Sequence, residues 1–345
     1  MNQQLDLRQL ISVLRTEKKL SLLLIVGITA SQAVSIMPFM FEHDQYPDYE
    51  YTILPYAFDC ELDVFPERSA GLDKLEKTPT RNPVKWWLHC ASYQLTGYPN
   101  ALLMPFNVLV LPLVFYLGYY LTNDRMIGMI AMAAMLYNPL YKDWINTGTY
   151  DQVWAFFLLL SIVMIFKQTK VGVIPLVIST LTKSMVLLYL PLWLYTSWKI
   201  KRDKTLIVAF VIGCAIAGFV IYDQGLINKI VGNQVGFFPE NIEEAIVRNF
   251  SLFWQVVPIL AVFAVLNNTF RAKDKPKNKR LVVIWMLGIL VMTPLIHIFT
   301  MQGTFSYRYV PFAAFISVFV GMTLVELGNW WVEVQMKKAE KKMQK

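Results

Sequence analysis

Residues 151–183 read DQVWAFFLLLSIVMIFKQTKVGVIPLVISTLTK. Asp151 opens an apolar run that closes on Lys167 and Lys170, and a second apolar run follows at once and ends on Lys183. Lysine and arginine collect on the cytoplasmic flanks of membrane-spanning segments, so the bases that close the first run give it a direction. These residues read as two passes through a membrane.

The same sorting recurs along the chain. Apolar runs fall at 20–41, 103–121, 126–142, 151–167, 171–182, 184–198, 205–222, 250–267, 281–300 and 309–328. Basic residues gather in every second interval: Arg8, Arg15, Lys18 and Lys19, then Arg125, then Lys167 and Lys170. Lys199, Lys201, Arg202 and Lys204 follow, then the run Arg271 to Arg280 and the tail Lys337 to Lys345. Assigned to one side, they put both termini in the cytoplasm. The acids crowd the opposite loops. The longest, 42–85, carries His43, Asp44, Asp48, Glu50, Asp59, Glu61 and Asp63.

Composition agrees. Hydrophobic residues make up 56% and charged residues 16% of the 345, where a soluble domain carries about a quarter charged. The mean hydropathy is +0.43. Runs near 20 residues match the roughly 30 Å of hydrocarbon that a helix must cross. The expected fold is therefore all-α, a polytopic transmembrane helical bundle of about ten spans in a plasma membrane. The first run follows Lys18-Lys19 without a small-residue cleavage site, so it is expected to stay as a span. The net charge of +8 reads as attraction to the cytoplasmic leaflet, and no interleaved aromatic and basic surface argues for nucleic acid.

Smaller features complete the organisation. Residues 1–19 space Leu5, Leu7, Leu10, Ile11 and Leu14 as an amphipathic helix on the cytoplasmic surface. Segment 86–97, opening on Lys85-Trp86-Trp87, is too short and too aromatic to span and reads as a helix in the outer interface. Stretch 223–249 has room for another. The runs 171–182 and 184–198 are short for two crossings and predict a thin or tilted hairpin buried inside the bundle, with Lys183 at its tip. Residues 20–328 thus form one membrane domain with an outer loop at 42–102, and 329–345 a cytoplasmic basic tail. Cys214 lies inside a run, whereas Cys60 and Cys90 share the outer side and can pair where thiols are oxidised. His43, His89 and His297 lack the spacing of a helical zinc site, and no metal site is assigned.

The candidate functional residues are ionisable groups where a membrane protein has reason to avoid them. Asp44 and Asp48 stand four apart just past the first run, beside Tyr46 and Tyr49. They read as a solvated acidic loop, or as a carboxylate at the lip of a cavity that acts as a general base or helps bind a cation. Asp151 reads as a helix cap, or as a carboxylate that orients an acceptor or holds a divalent cation. A charge between apolar runs costs roughly 2.5–3.5 kcal/mol at mid-membrane, so Lys183 either snorkels or meets an anion such as a lipid phosphate. Arg308, in Phe305-Ser-Tyr-Arg-Tyr-Val-Pro311, reads as an interface anchor or a phosphate clamp. Lys85 offers the same choice.

The order of these segments resembles a known family. After the long acidic loop come Asn82-Pro83-Val84-Lys85-Trp86-Trp87, Gly97 and Asn138-Pro139. Asp151 then opens a Phe-rich span, Leu181-Thr182-Lys183-Ser184 ends the next, and Arg308-Tyr309-Val310-Pro311 begins the last. This resembles the GT-C superfamily of polyprenyl-phosphate-sugar-dependent glycosyltransferases, in the branch of protein O-mannosyltransferases and aminoarabinose transferases. The chain departs from it at Asp44-Gln45, where relatives carry adjacent acids, and at Asn82-Pro83-Val84, in place of a double proline. The resemblance implies a membrane glycosyltransferase that moves a sugar from a polyprenyl-phosphate donor to a protein, lipid or glycan acceptor outside the cytoplasm. It assigns Asp44 or Asp48 as the catalytic or acceptor-activating carboxylate, Asp151 as the second outer acid and Lys183 as the cation that meets the donor phosphate. Lys85, in the family's Lys/Pro-rich aromatic segment, and Arg308, in its late Arg-Tyr element, are further substrate-binding residues by the same resemblance. A transporter or lipid flippase, or a non-catalytic subunit of a membrane complex, remains the alternative from the residues themselves.

Overall fold

The computed structural model describes residues 17–41, 83–142, 145–146, 151–167, 170–201, 278–299 and 306–343, with single positions 208, 211, 242, 243 and 247. Apart from those single positions, the apolar runs at 205–222 and 250–267 and the stretch 223–249 lie outside the described residues, as do the amphipathic segment before residue 17 and most of the outer loop. Within them every regular element is helical and none is a strand.

Ten α-helices are described: α1 (Lys18–Ile36), α2 (Pro83–Thr96), α3 (Met104–Thr122), α4 (Arg125–Leu136) and α5 (Pro139–Lys142). They continue with α6 (Asp151–Phe166), α7 (Val173–Thr182), α8 (Leu190–Lys201), α9 (Lys279–Phe299) and α10 (Val310–Met343). Lys18–Phe41, Met104–Thr122 and Val310–Lys338 are long and apolar enough to cross a membrane. At 1.5 Å per residue, a 19-residue helix such as α3 covers about 28 Å. The chain is an integral membrane protein.

Two predicted runs are broken. The run 126–142 is α4 and the short α5, because Pro139 lacks an N–H and the Asn138 side chain accepts the Leu140 N–H at 3.0 Å. The run 184–198 begins as a 3-10 turn, Ser184–Tyr189, before α8. The helix expected over 86–97 runs Pro83–Thr96. The last run continues without interruption through the basic residues to Met343.

Packing is tight where side chains are small. α4 lies against both α3 and α10, and a Cβ on Gly128 would meet the Phe115 carbonyl oxygen at 2.6 Å. A Cβ on Gly321 would meet the Ile127 carbonyl at 2.7 Å. In lipid, where tails are as apolar as leucine, such close backbone approach is a main source of helix association. Around this contact the core is apolar and aromatic, with the Trp285 and Phe315 rings stacked 5.0 Å apart.

The bundle has two chemically different ends. At one, Asn123 turns the chain with φ 60° and Asp124 caps α4 through the Met126 N–H at 2.9 Å. Arg125 lies over the Tyr119 ring and Lys167 over the neighbouring Tyr120 ring. Asn278 donates to the Leu121 carbonyl at 3.0 Å. Cations that the sequence assigns to one side are thus gathered at one end.

Candidate functional site

The other end collects those singled-out residues that are described: Lys183 and Arg308, with the helix starts that carry Lys85 and Asp151. It starts from α2, whose C-terminal turn bends back at Gly97 (φ 78°). Buried His89 bonds through Nδ1 to the Pro99 carbonyl at 3.0 Å, and since a carbonyl only accepts, Nδ1 carries the hydrogen. Ser92 donates to the Tyr98 carbonyl and accepts the Leu102 N–H at 3.0 Å. These bonds fix α2 to the start of α3. Cys90, beside His89, is buried and disulfide-bonded. Lys85 lies in the first turn of α2, and α2 packs on α7, the helix that ends before Lys183.

Lys183 sits between two helical segments. Its backbone is extended, with φ −151° and ψ 111°, where α7 stops and the 3-10 turn begins. Its N–H still reaches the Ser179 carbonyl at 2.9 Å, and its carbonyl accepts the Val186 N–H at 3.1 Å. The residue is 3% exposed. Lys183, the expected tip of a buried hairpin, is buried and marks an interruption between a helix and a 3-10 turn.

The turn is held from both sides by Trp154. Ser179 Oγ donates to the Trp154 carbonyl at 2.7 Å. Six residues past Lys183, the Tyr189 ring stacks on the Trp154 ring at 6.2 Å and 13°. Trp154 lies one helical turn after Asp151, the first residue of α6. The Tyr189 hydroxyl lies 2.9 Å from Thr293 Oγ1 on α9. Thr293 already donates to the Ile289 carbonyl at 2.7 Å, so the tyrosine is the donor.

Arg308 arrives from the far end of the sequence. It lies in a 3-10 turn, Ser306–Tyr309, that packs on α5, α6, α9 and α10. It is 4% exposed. The neighbouring Tyr309 is buried and within electrostatic reach of both Tyr189 and Arg308. Asn107 closes the same region. Its side chain donates to the Ile145 carbonyl at 2.7 Å, and its own carbonyl accepts the Tyr141 hydroxyl at 2.7 Å.

Lys183, Arg308 and the start of α6 are thus brought to one end by shared neighbours. Asp44 and Asp48 lie outside the described residues. Among the described residues no cluster of metal-ligating side chains forms. Sequence reading missed Ser179, Trp154, Tyr189 and Thr293. Their one signal is a hydroxyl or indole inside an apolar run, which must find a hydrogen-bond partner when buried. The buried cations sit where low dielectric strengthens attraction to an anion.

No protein-family model matches the chain, and no curated protein matches its sequence. Among solved structures, the fold matches that of ArnT from Cupriavidus metallidurans, solved bound to undecaprenyl phosphate. The TM-score is 0.57 at 15% sequence identity. The match covers 91% of this chain and 64% of that one, so this chain spans less than two thirds of its neighbour's length.

Proposed function

We propose that this protein transfers a sugar from a polyprenyl-phosphate donor to an acceptor on the non-cytoplasmic face of a plasma membrane. The observation that carries this reading is the pair of buried cations, Lys183 and Arg308, at one end of an apolar bundle. Its fold is shared with a protein solved with a polyprenyl phosphate bound.

The chemistry follows from charge. As the bond between the anomeric carbon and the phosphate oxygen breaks, negative charge grows on the departing polyprenyl phosphate. Cations fixed in a dry site stabilise that charge without reorganising. Lys183 and Arg308 take that part, with Lys85 as a third contact. The acceptor oxygen or nitrogen forms the new bond to the anomeric carbon and gives its proton to a carboxylate. Asp44 and Asp48 are the candidates for that base. Asp151 orients the acceptor or holds a divalent cation, and turnover before and after chelation separates these tasks.

The test is transfer of radiolabelled sugar by the purified protein in lipid, from a panel of polyprenyl-phosphate sugars, with membrane-extract acceptors supplied. Turnover that collapses in Lys183→Ala and in one aspartate-to-asparagine variant, with folding intact, supports the reading. No donor consumption across the panel overturns it in favour of transport or a subunit role.

A further inference from the structure

We infer that Tyr189 and Thr293 are positioning residues for Lys183, and that their hydrogen bond sets how tightly the protein holds a lipid-linked phosphate. The inference rests on the transferase reading above and extends it to groups that touch no substrate.

The argument begins with the backbone at Lys183. An extended residue between a helix and a 3-10 turn has no continuous ladder of its own to hold its direction. Upstream, the Lys183 N–H bond to the Ser179 carbonyl and the Ser179 hydroxyl bond to the Trp154 carbonyl fix the end of α7. Downstream, the turn runs Ser184–Tyr189 and is fastened at its last residue. There the Tyr189 ring lies on Trp154 and its hydroxyl reaches Thr293, 104 residues away in sequence. One ring therefore joins three elements: the 3-10 turn that follows Lys183, the helix opened by Asp151, and α9.

Both atoms of the bond are buried. In an apolar surrounding, a lost partner leaves a polar group that water cannot reach, so the bond resists opening. Thr293 is itself fixed, because its hydroxyl hydrogen is committed to Ile289 one turn back. The residue after it is Pro294, inside α9. A threonine fixed in this way presents its oxygen as an acceptor in a single direction, and Tyr189 uses it. Loosening this end leaves the fold's apolar contacts in place while widening the range of positions that the Lys183 ammonium samples.

The bundle contains a control of the same chemical kind. Trp285 Nε1 donates to Thr196 Oγ1 at 2.8 Å, tying α8 to α9 away from the Lys183 turn. A tether that matters only for stability behaves like this one.

The experiment compares Tyr189→Phe, Thr293→Val, their double variant, Thr293→Ser, Thr196→Val and Lys183→Ala in the whole chain reconstituted in lipid. The readouts are equilibrium binding of undecaprenyl phosphate, donor KM against kcat, and thermal unfolding. Expected are Kd and KM raised about 3- to 10-fold in Tyr189→Phe and Thr293→Val, with kcat changed less. The double variant should be no worse than either single one, and Thr293→Ser should restore binding. Thr196→Val should lower thermal stability without moving Kd. Unchanged binding in Tyr189→Phe and Thr293→Val, beside loss in Lys183→Ala, overturns the positioning role and leaves the transferase reading standing. Unchanged binding in Lys183→Ala removes the phosphate role of Lys183 and the positioning role with it, whereas no donor consumption by the unaltered protein overturns the transferase reading as well.

Discussion

Lys279 Nζ meets Glu326 Oε2 at 2.5 Å, a nearly buried ion pair that joins the first turn of α9 to α10. It lies at the end of the bundle opposite Lys183. Lys279 also lies over the Phe319 ring, one further contact between the same helices. The first prediction follows from burial. Removing one partner strands the other charge and costs about 3–5 kcal/mol, whereas a matched apolar replacement of both is close to neutral. Glu326→Ala should therefore lower the thermal unfolding midpoint in detergent sharply, and Lys279→Met/Glu326→Leu should recover most of it. Equal losses in the single and double variants would argue against a buried pair.

Glycine contacts give a second prediction. A methyl group at Gly128 or Gly321 would press on a backbone carbonyl at 2.6 or 2.7 Å, and backbone cannot swing aside as a side chain can. Overpacking of this kind costs about 1–3 kcal/mol. Gly128→Ala and Gly321→Ala should each reduce thermal stability, while Gly27→Ala, with nothing within 4 Å, should not. Sugar transfer at permissive temperature should survive all three.

How far the sequence carries is clear from particular elements. The α3, α6 and α7 helices were legible within a few residues, because uninterrupted apolar runs bounded by charge have few other structures in lipid. The same reasoning overran at Asn138-Pro139, where one residue without an N–H and one side chain that replaces a backbone acceptor split the run. It also read residues 184–189 as helix, since a 3-10 turn and an α-helix share composition. Lys183 and Arg308 stood out because charge in an apolar setting is costly wherever it occurs. Trp154, Tyr189 and Thr293 did not, because their meaning is pairwise. Nothing near Tyr189 announces a partner 104 positions later.

A third prediction concerns the cations directly. A hydrogen bond to a charged group contributes about 1.5–3 kcal/mol, or roughly 10- to 150-fold in affinity. Lys183→Ala and Arg308→Ala should each weaken undecaprenyl phosphate binding by that factor, measured by titration in nanodiscs. Arg308→Lys should recover only part, because an ammonium cannot bond bidentately to a phosphate. Binding that stays intact in both alanine variants would remove the phosphate role from this end of the bundle.

A fourth prediction separates the carboxylates. General-base catalysis contributes about 10²- to 10⁴-fold, so asparagine at the true base should cut kcat by that factor and leave donor Kd unchanged. Asp44→Asn, Asp48→Asn and Asp151→Asn, compared by single-turnover transfer, identify it. A loss confined to Asp151→Asn that disappears with raised divalent cation would assign Asp151 to metal binding instead. Three variants with full activity would leave the base unidentified and remove all three from that role.

The last prediction uses the disulfide at Cys90. Only two other cysteines exist, Cys60 and Cys214, and both lie outside the described residues. Cys214 belongs to the apolar run 205–222, while Cys60 belongs to the loop that carries Asp44 and Asp48. Charge sorting puts that loop and α2 on the same face, so peptide mapping without reductant should recover Cys60 linked to Cys90. Such a bond would close a loop of about 30 residues and stabilise the fold by about 3–4 kcal/mol in the chain-entropy model. It would also tether the acidic loop to the helix that packs on α7. Cys60→Ser should then lower the unfolding midpoint and raise protease sensitivity between residues 42 and 82. A Cys90–Cys214 peptide would instead contradict the shared face and require a different topology for the runs beyond Lys201.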